Sequence, residues 1–448
     1  MIRVDINPFL NPNNDAYQTN GRSGRFLGRL HKLVECNGRY LSVTKSKREK
    51  FIELPEGFGT QLRNDLALVE DEKPRISYLS LANDVARVQQ YWVDGVHDPK
   101  SQKATYAGMF FELVDALGAQ GQLFSTKDTK APLEQPVQIE RFDASSANLI
   151  GQVVARIQAF KPHLLVISPS VSPDIIPMLA QDFPTVYYAH SLLWPARWDC
   201  DDASLKERLK RWVRSRRFKN KLKNVKGVIA ASDVCLRQFR AIVGNDYPEE
   251  TVTRQFLHVS KPVEKKSMRN LLYIGGLDDW SGVNAAVAVF KAIKADLPNL
   301  TLSLIGEGPK QAEYEEMAPT VDGLRFVSKF DATEQMKQVA MADLLIVPEI
   351  AQTLTGMPFY LPEALVCGLP ALVSSSVPLR DDEERGCVVY KAGDQEDMIR
   401  QIRRLYGDTA EYKDLAGKLP LNEDPFRDAS QSWGSGIARI FGHIARNQ

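Results

Sequence analysis

The chain has 448 residues, 44% apolar and 25% charged, which excludes disordered, fibrous and membrane-embedded classes and leaves room for two or three globular domains. A net charge of +1 gives no global field for nucleic acid, and no apolar run approaches the ~18 residues of a spanning helix. Five scattered cysteines (Cys36, Cys200, Cys235, Cys367, Cys387) hold no C-x-x-C pair, and Met1-Ile2-Arg3-Val4-Asp5 lacks a signal-peptide pattern; a cytoplasmic chain with no metal site is expected.

Residues 1–73 are rich in Asn, Gly and charge, with a turn at Asn11-Pro12-Asn13-Asn14. Phe26, Leu27, Leu30, Leu33 and Val34 fit one short amphipathic helix. This part reads as a small appended subdomain or as an element that docks an acceptor or partner. Regular alternation starts at residue 75. The first strand is 76–81, followed by a long loop over 82–104 carrying Trp92, Asp94 and His97, and a helix over 106–117. A loop of that length in a compact domain points to function or disorder, so Asp94 and His97 are acceptor-side candidates beside the alternative of a solvated loop. Strands follow at 122–125, 164–167, 185–189 and 228–232, with helices at 145–160, 175–180 and 235–243. The strand at 185–189 delivers His190 at its carboxyl end.

Between these elements lies a basic helix over 205–226. Lys206, Arg208, Lys210, Arg211, Arg214, Arg216, Arg217, Lys219, Lys221, Lys223 and Lys226 stand there against a single Glu207. Leu205, Leu209, Trp212, Val213 and Phe218 intersperse them. Two readings stay open: a solvated helix with one core-facing stripe, or an interfacial helix drawn to anionic lipid at roughly 1 kcal/mol per basic residue near the surface. Nucleic acid is not expected, because the rest of the chain offers no matching basic face.

After a linker over 255–266 the pattern repeats. Leu271-Leu272-Tyr273-Ile274 is a strand broken at Gly275-Gly276. Val283, Ala286, Val287, Phe290, Ile293 and Leu297 share one helical face. Further strands are 300–305, ending at Gly306-Glu307-Gly308-Pro309, then 324–327 and 344–347; helices close the chain at 398–406 and 433–445. Strand, helix, strand, repeated, means parallel βαβ units, whose ligands sit outside the carboxyl ends of the strands.

These turns carry a resemblance. Leu272-Tyr273-Ile274-Gly275-Gly276-Leu277-Asp278, Gly282-Val283, Ile305-Gly306-Glu307-Gly308-Pro309 and Pro362-Glu363-Ala364-Leu365-Val366-Cys367-Gly368-Leu369-Pro370 are similar, in order and spacing over about 170 residues, to the donor half of GT-B glycosyltransferases of the retaining GT4 type. The resemblance implies an α/β fold, GT-B, with two Rossmann-like domains facing a central cleft and a small N-terminal extension. The expected divisions are 1–73 (extension), 74–262 (acceptor domain), 263–425 (donor domain) and 426–448 (a helix crossing back to the acceptor domain). It further implies a retaining, metal-independent glycosyltransferase without cofactor. Such an enzyme takes a nucleotide sugar and a glycan or lipid-linked acceptor in bacterial surface or exopolysaccharide synthesis, peripheral to the inner face of the plasma membrane.

Carried over residue by residue, Glu363 matches the glutamate that holds both ribose hydroxyls, and His190 a histidine that contacts the donor sugar. Gly356, Met357, Pro358 and Phe359 occupy the loop whose amides meet the sugar and diphosphate. Thr355 stands where the family has its first glutamate. Gly276 and Ser281 replace an arginine and a lysine that grip the diphosphate, beside Gly275 and Gly306. Two lost charge-assisted contacts should cost several kcal/mol of leaving-group stabilisation unless another cation, Lys329, Lys310 or Arg380, substitutes. These departures keep open a non-catalytic GT-B-like binding or assembly protein, and the shared fold keeps open a nucleotide-sugar epimerase.

Overall fold

The computed structural model describes residues 52–81, 102–126, 137–199, 203–244, 247, 249–251, 265–327, 332–350, 354, 356, 358, 360–379, 385–419 and 428–447. The loop residues Asp94 and His97, the helix expected around Phe26, the linker, Lys329 and Arg380 lie outside the described residues, as do Thr355, Met357 and Phe359.

The first lobe is a seven-stranded, all-parallel sheet in the order β3-β2-β1-β4-β5-β6-β7. Its strands are β1 (Arg75–Leu79), β2 (Gln120–Ser125), β3 (Val137–Arg141), β4 (Leu164–Ile167), β5 (Thr185–Ala189), β6 (Gly227–Ala230) and β7 (Glu249–Thr251). Near-continuous apolar runs such as Leu164–Ile167 form central strands because helices cover both faces of a parallel sheet. β3 and β7 escape the sequence reading: Val137–Arg141 is a short edge strand buried only at Val137 and Glu140, without a period of two, and three-residue β7 is too short to show a period.

The covering helices are α1 (Phe58–Asp65), α2 (Gln102–Ala116), α3 (Leu149–Phe160), α4 (Ile176–Asp182), α5 (Leu205–Leu222) and α6 (Asp233–Val243). α2 starts at Gln102, before the expected residue 106, and α3 starts only at Leu149, after the expected residue 145.

The second lobe repeats the plan with six parallel strands in the order β10-β9-β8-β11-β12-β13. They are β8 (Asn270–Gly276), β9 (Thr301–Glu307), β10 (Leu324–Val327), β11 (Leu344–Val347), β12 (Ala371–Ser374) and β13 (Cys387–Tyr390). The helices are α7 (Val283–Ile293), α8 (Gln311–Met317), α9 (Ala332–Met341), α10 (Tyr360–Val366), α11 (Gln395–Gly407) and α12 (Thr409–Gly417). In both sheets the order reverses beside the first strand, at β1/β4 and at β8/β11, and ligands bind at such switch points.

The last helix, α13 (Trp433–Arg446), packs on α1 and α2 of the first lobe. Trp433 is fully buried against Tyr78, Tyr106 and Tyr188, with ring centroids 5.1, 5.5 and 5.8 Å away. Arg439 clamps Glu250 of β7 with two 3.0 Å hydrogen bonds.

Candidate functional site

The site is assembled from the strand ends around β8. There the chain must turn sharply while three backbones crowd together, which only glycine allows. A Cβ on Gly306 would lie 1.9 Å from the Gly275 carbonyl oxygen, and one on Gly282, at φ +77°, 1.8 Å from the Pro348 oxygen. Backbone bonds lace the two turns: Leu277 donates to Glu307 O (3.0 Å) and Lys310 donates to Leu277 O (2.9 Å).

The turn where the family places its two cations is acidic here. Asp278 Oδ1 accepts the amides of Trp280 and Ser281, each at 2.8 Å, so the Ser281 amide is already engaged. Lys310, brought to this turn by the backbone lacing, pairs with Asp279 at 2.6 Å and donates to Asn284 Oδ1 at 3.2 Å. Trp280 stands 73% exposed on the same turn.

Across the switch point, β11 runs into Pro348 and Glu349, and α10 presents Glu363. Glu363 is 7% exposed, and its Oε2 accepts Gln335 Nε2 of α9 at 2.6 Å. Burial raises its pKa from 4.5 to about 7, and the Gln335 hydrogen bond offsets part of that rise. In this state one of its two oxygens is engaged within the protein. Glu349 is also buried, near enough to raise the phenol pKa values of Tyr273, Tyr360 and Tyr390 further than burial alone does. Neither Gln335 nor Glu349 was among the sequence candidates. The available signal for Glu349 is a carboxylate directly after a switch-point strand; for Gln335 there is none.

From the first lobe, β5 delivers His190 next to β4. The ring bridges Ser168 Oγ (3.0 Å from Nε2) and Ser191 Oγ (3.1 Å from Nδ1), and Ser168 continues through Ser170 to Ser80 at the end of β1. The segment leading to α10 docks here. Leu192 N donates to Leu354 O at 2.8 Å, and a Cβ on Gly356 would meet the His190 carbonyl oxygen at 2.4 Å and Cys235 Sγ at 2.7 Å. The structure therefore joins His190 to the loop holding Gly356 and Pro358, and places Gly275, Gly276, Ser281 and Gly306 together at the β8–β9 edge.

The basic helix α5 ends at Leu222, four residues before its expected limit, and opens with a capping box between Ser204 and Glu207. Of the apolar residues named on it, Phe218 packs against the core, whereas the others do not form a buried stripe. Leu205 is 85%, Leu209 61% and Trp212 53% exposed, and within the helix only Leu222 is buried. An open groove of about 750 Å³ runs along it, lined by Trp198, Leu209, Val213, Lys210, Arg214 and Arg217 among others. Among the described residues no carboxylate pairs with Lys210 or Arg214.

Comparison with known proteins agrees with this architecture. A TM-score of 0.60 relates the chain to sucrose-phosphate synthase from Thermosynechococcus elongatus, with 19% identity, 84% of this chain and 99% of that one covered. WaaG, a glycosyltransferase involved in lipopolysaccharide biosynthesis, scores 0.56 at 15% identity, covering 82% and 99%. Anabaena Alr3699/HepE in complex with UDP-glucose scores 0.54 at 15% identity, covering 84% and 100%. The fold is that of the GT-B glycosyltransferases.

Residues 268–408 match the family described as "Glycosyl transferases group 1", so the second lobe is a domain of that family. The sulfoquinovosyl transferase SQD2 of Arabidopsis thaliana is 25% identical over 148 residues, which are 32% of this chain and 28% of that relative.

Proposed function

We propose that the protein is a retaining, metal-independent glycosyltransferase that moves a sugar from a nucleotide-sugar donor to a glycan or lipid-linked acceptor in the synthesis of a bacterial surface polysaccharide. The observation that carries this reading is the docking of the Leu354–Gly356 segment on His190. It ties the loop entering the Glu363 helix to His190 at the carboxyl end of a first-lobe strand, which supports a shared role for the two segments in holding the donor. Glu363 is the ribose ligand, His190 a sugar contact, and the loop holding Gly356 the source of N–H donors for the diphosphate, where donors stabilise a departing anion. That Anabaena Alr3699/HepE is seen with UDP and UDP-glucose, and that WaaG serves lipopolysaccharide biosynthesis, support the donor and glycan classes. The exposed Leu and Trp side chains on basic α5 support a peripheral position on anionic lipid.

A thermal-shift panel of UDP, GDP and dTDP tests the reading, followed by assay of slow donor hydrolysis. Stabilisation by one nucleotide and release of its sugar are expected. The acidic turn at Asp278 and Asp279 favours a second reading, a GT-B-like binding or assembly protein without transfer; no response to any of the three nucleotides would decide for it.

A further inference from the structure

We propose that a cavity between α3 and the amino ends of β1 and β2 binds a small hydroxylated oxyanion, a sugar phosphate or a sugar acid. It lies at the opposite edge of the first sheet from His190. The face of a parallel sheet beneath a helix is ordinarily apolar. Under α3 only part of it is: Leu79 and Phe124 pack there with Val153 and Ile157. Strand alternation puts Arg75 and Ser77 on the face of Leu79, and Gln120 and Gln122 on the face of Phe124. Gln138 and Glu140 of neighbouring β3 extend this polar patch. Proteins break such a pattern chiefly where function asks for it.

A cavity of about 470 Å³ opens at the patch, lined by Arg75, Gln120, Gln122, Gln138, Glu140 and Arg156 among others. Its floor is a hydrogen-bonded network. Ser77 Oγ donates to Gln122 Oε1 at 2.7 Å, and Gln122 Nε2 donates to Glu140 Oε1 and to the Arg156 carbonyl oxygen, each at 3.3 Å. Gln138 Nε2 donates to the same Glu140 oxygen at 2.6 Å. These bonds fix one side of the Glu140 carboxylate and leave the other for a ligand.

Among the described residues Glu140 Oε2 accepts no hydrogen bond, since Arg156 Nε stands 3.6 Å away, beyond hydrogen-bond reach. The Glu140 side chain is only 11% exposed, so this oxygen is short of water and calls for a donor. The Arg156 guanidinium, mostly exposed, has no other partner among the described residues. Arg75 spends N–H groups on Glu72 Oε1 and the Lys161 carbonyl oxygen, at 3.0 and 2.8 Å, and lies 3.1 Å from the His163 ring; a guanidinium has further N–H groups beyond these.

Guanidinium forks fit a phosphate or carboxylate, and the open Glu140 oxygen asks that the same molecule carry a hydroxyl. A neutral sugar would leave the Arg156 fork unused. A bare ion would leave Glu140 without its donor.

Calorimetric titration of the full-length protein with glucose 6-phosphate, gluconate, inorganic phosphate and glucose tests this. At least one of the two hydroxylated anions should bind, with glucose and inorganic phosphate about tenfold or more weaker. Which anion binds tells a phosphate ester from a carboxylate. Arg156→Gln should weaken that anion about tenfold or more while the melting temperature stays near wild type, because the side chain is mostly exposed. Glu140→Gln should weaken the hydroxylated anion and leave inorganic phosphate unchanged; if that variant fails to fold, Arg156→Gln still decides. Binding of neither anion, equally tight binding of inorganic phosphate, or unchanged affinity in Arg156→Gln would overturn the inference. The transferase reading does not depend on any of these results.

Discussion

Replacing Glu363 by glutamine should stabilise the unliganded protein relative to wild type, and increasingly so as pH rises. Burial lifts the folded-state pKa of Glu363 from 4.5 to about 7, so between those values the folded chain holds a proton that the unfolded chain has released. Folding is then progressively penalised as pH climbs from ~4.5 to ~7, and the penalty is flat above that. At about 1.4 kcal/mol per pKa unit, the shift amounts to about 3 kcal/mol. Glutamine carries no charge to bury and can still accept the amide of Gln335. The stability of Glu363→Gln relative to wild type should thus increase by about 3 kcal/mol between pH 4.5 and pH 8. Urea unfolding followed by tryptophan fluorescence at four pH values reads this difference, and the subtraction cancels every other titrating group. A difference that stays flat across the range, or falls with pH, would refute the claim that burial dominates this carboxylate. Nucleotide affinity should move the other way, falling about ten- to hundred-fold in the variant as a charge-assisted hydrogen bond is lost.

Lys310→Ala should weaken binding of a nucleoside diphosphate about tenfold and leave the parent nucleoside unaffected, as measured by titration; Lys310 is the cation that the lacing of the two turns holds at the turn proposed to meet the diphosphate, and its exchange from Asp279 to phosphate is what the pair of affinities would report. Gly282→Ala should lower the melting temperature and impair binding together, because its Cβ falls on the Pro348 oxygen at a positive φ; conventional scanning calorimetry checks it, and a wild-type melting curve would show the turn to be looser than it stands. Reversing charge at Lys210, Arg214 and Arg217 together should abolish co-sedimentation with anionic liposomes while leaving the melting temperature close to wild type, since these side chains line an open groove and Lys210 has no carboxylate partner among the described residues. Gly356→Ala should reduce transfer more than nucleotide binding, because it pushes the donor loop off the His190 carbonyl; equal losses in both assays would argue against that coupling.

The architecture was open to reading in the sequence because its cause is local. A four-residue apolar run between glycine turns can only be a strand covered on both faces, and alternation with helical periods leaves parallel βαβ units as the outcome. The glycine positions were equally legible, since a sharp strand-to-helix turn tolerates no Cβ. Short or edge elements such as β3 and β7 were not, because burial on one side or over three residues leaves too weak a period. The apolar residues of α5 show the limit of pattern reading. Leu209 and Trp212 lie at helical spacing, yet they face outward, and periodicity cannot say whether a stripe finds a core or solvent.

The site divides in the same way. His190 could be singled out by its place at the carboxyl end of one strand, and Glu363 by the Pro362–Pro370 motif that carries the resemblance. Gln335 could not, for it lies 28 residues from Glu363 and only the packing of α9 against α10 brings its amide to the carboxylate. The pairing of Lys310 with Asp279, and the seating of Gly356 on His190, are likewise contacts between segments far apart in the chain. Chain-local sterics and hydrophobic period set the fold of each lobe, whereas the charges and acceptors that a ligand meets were decided by which strand ends the sheet order places side by side.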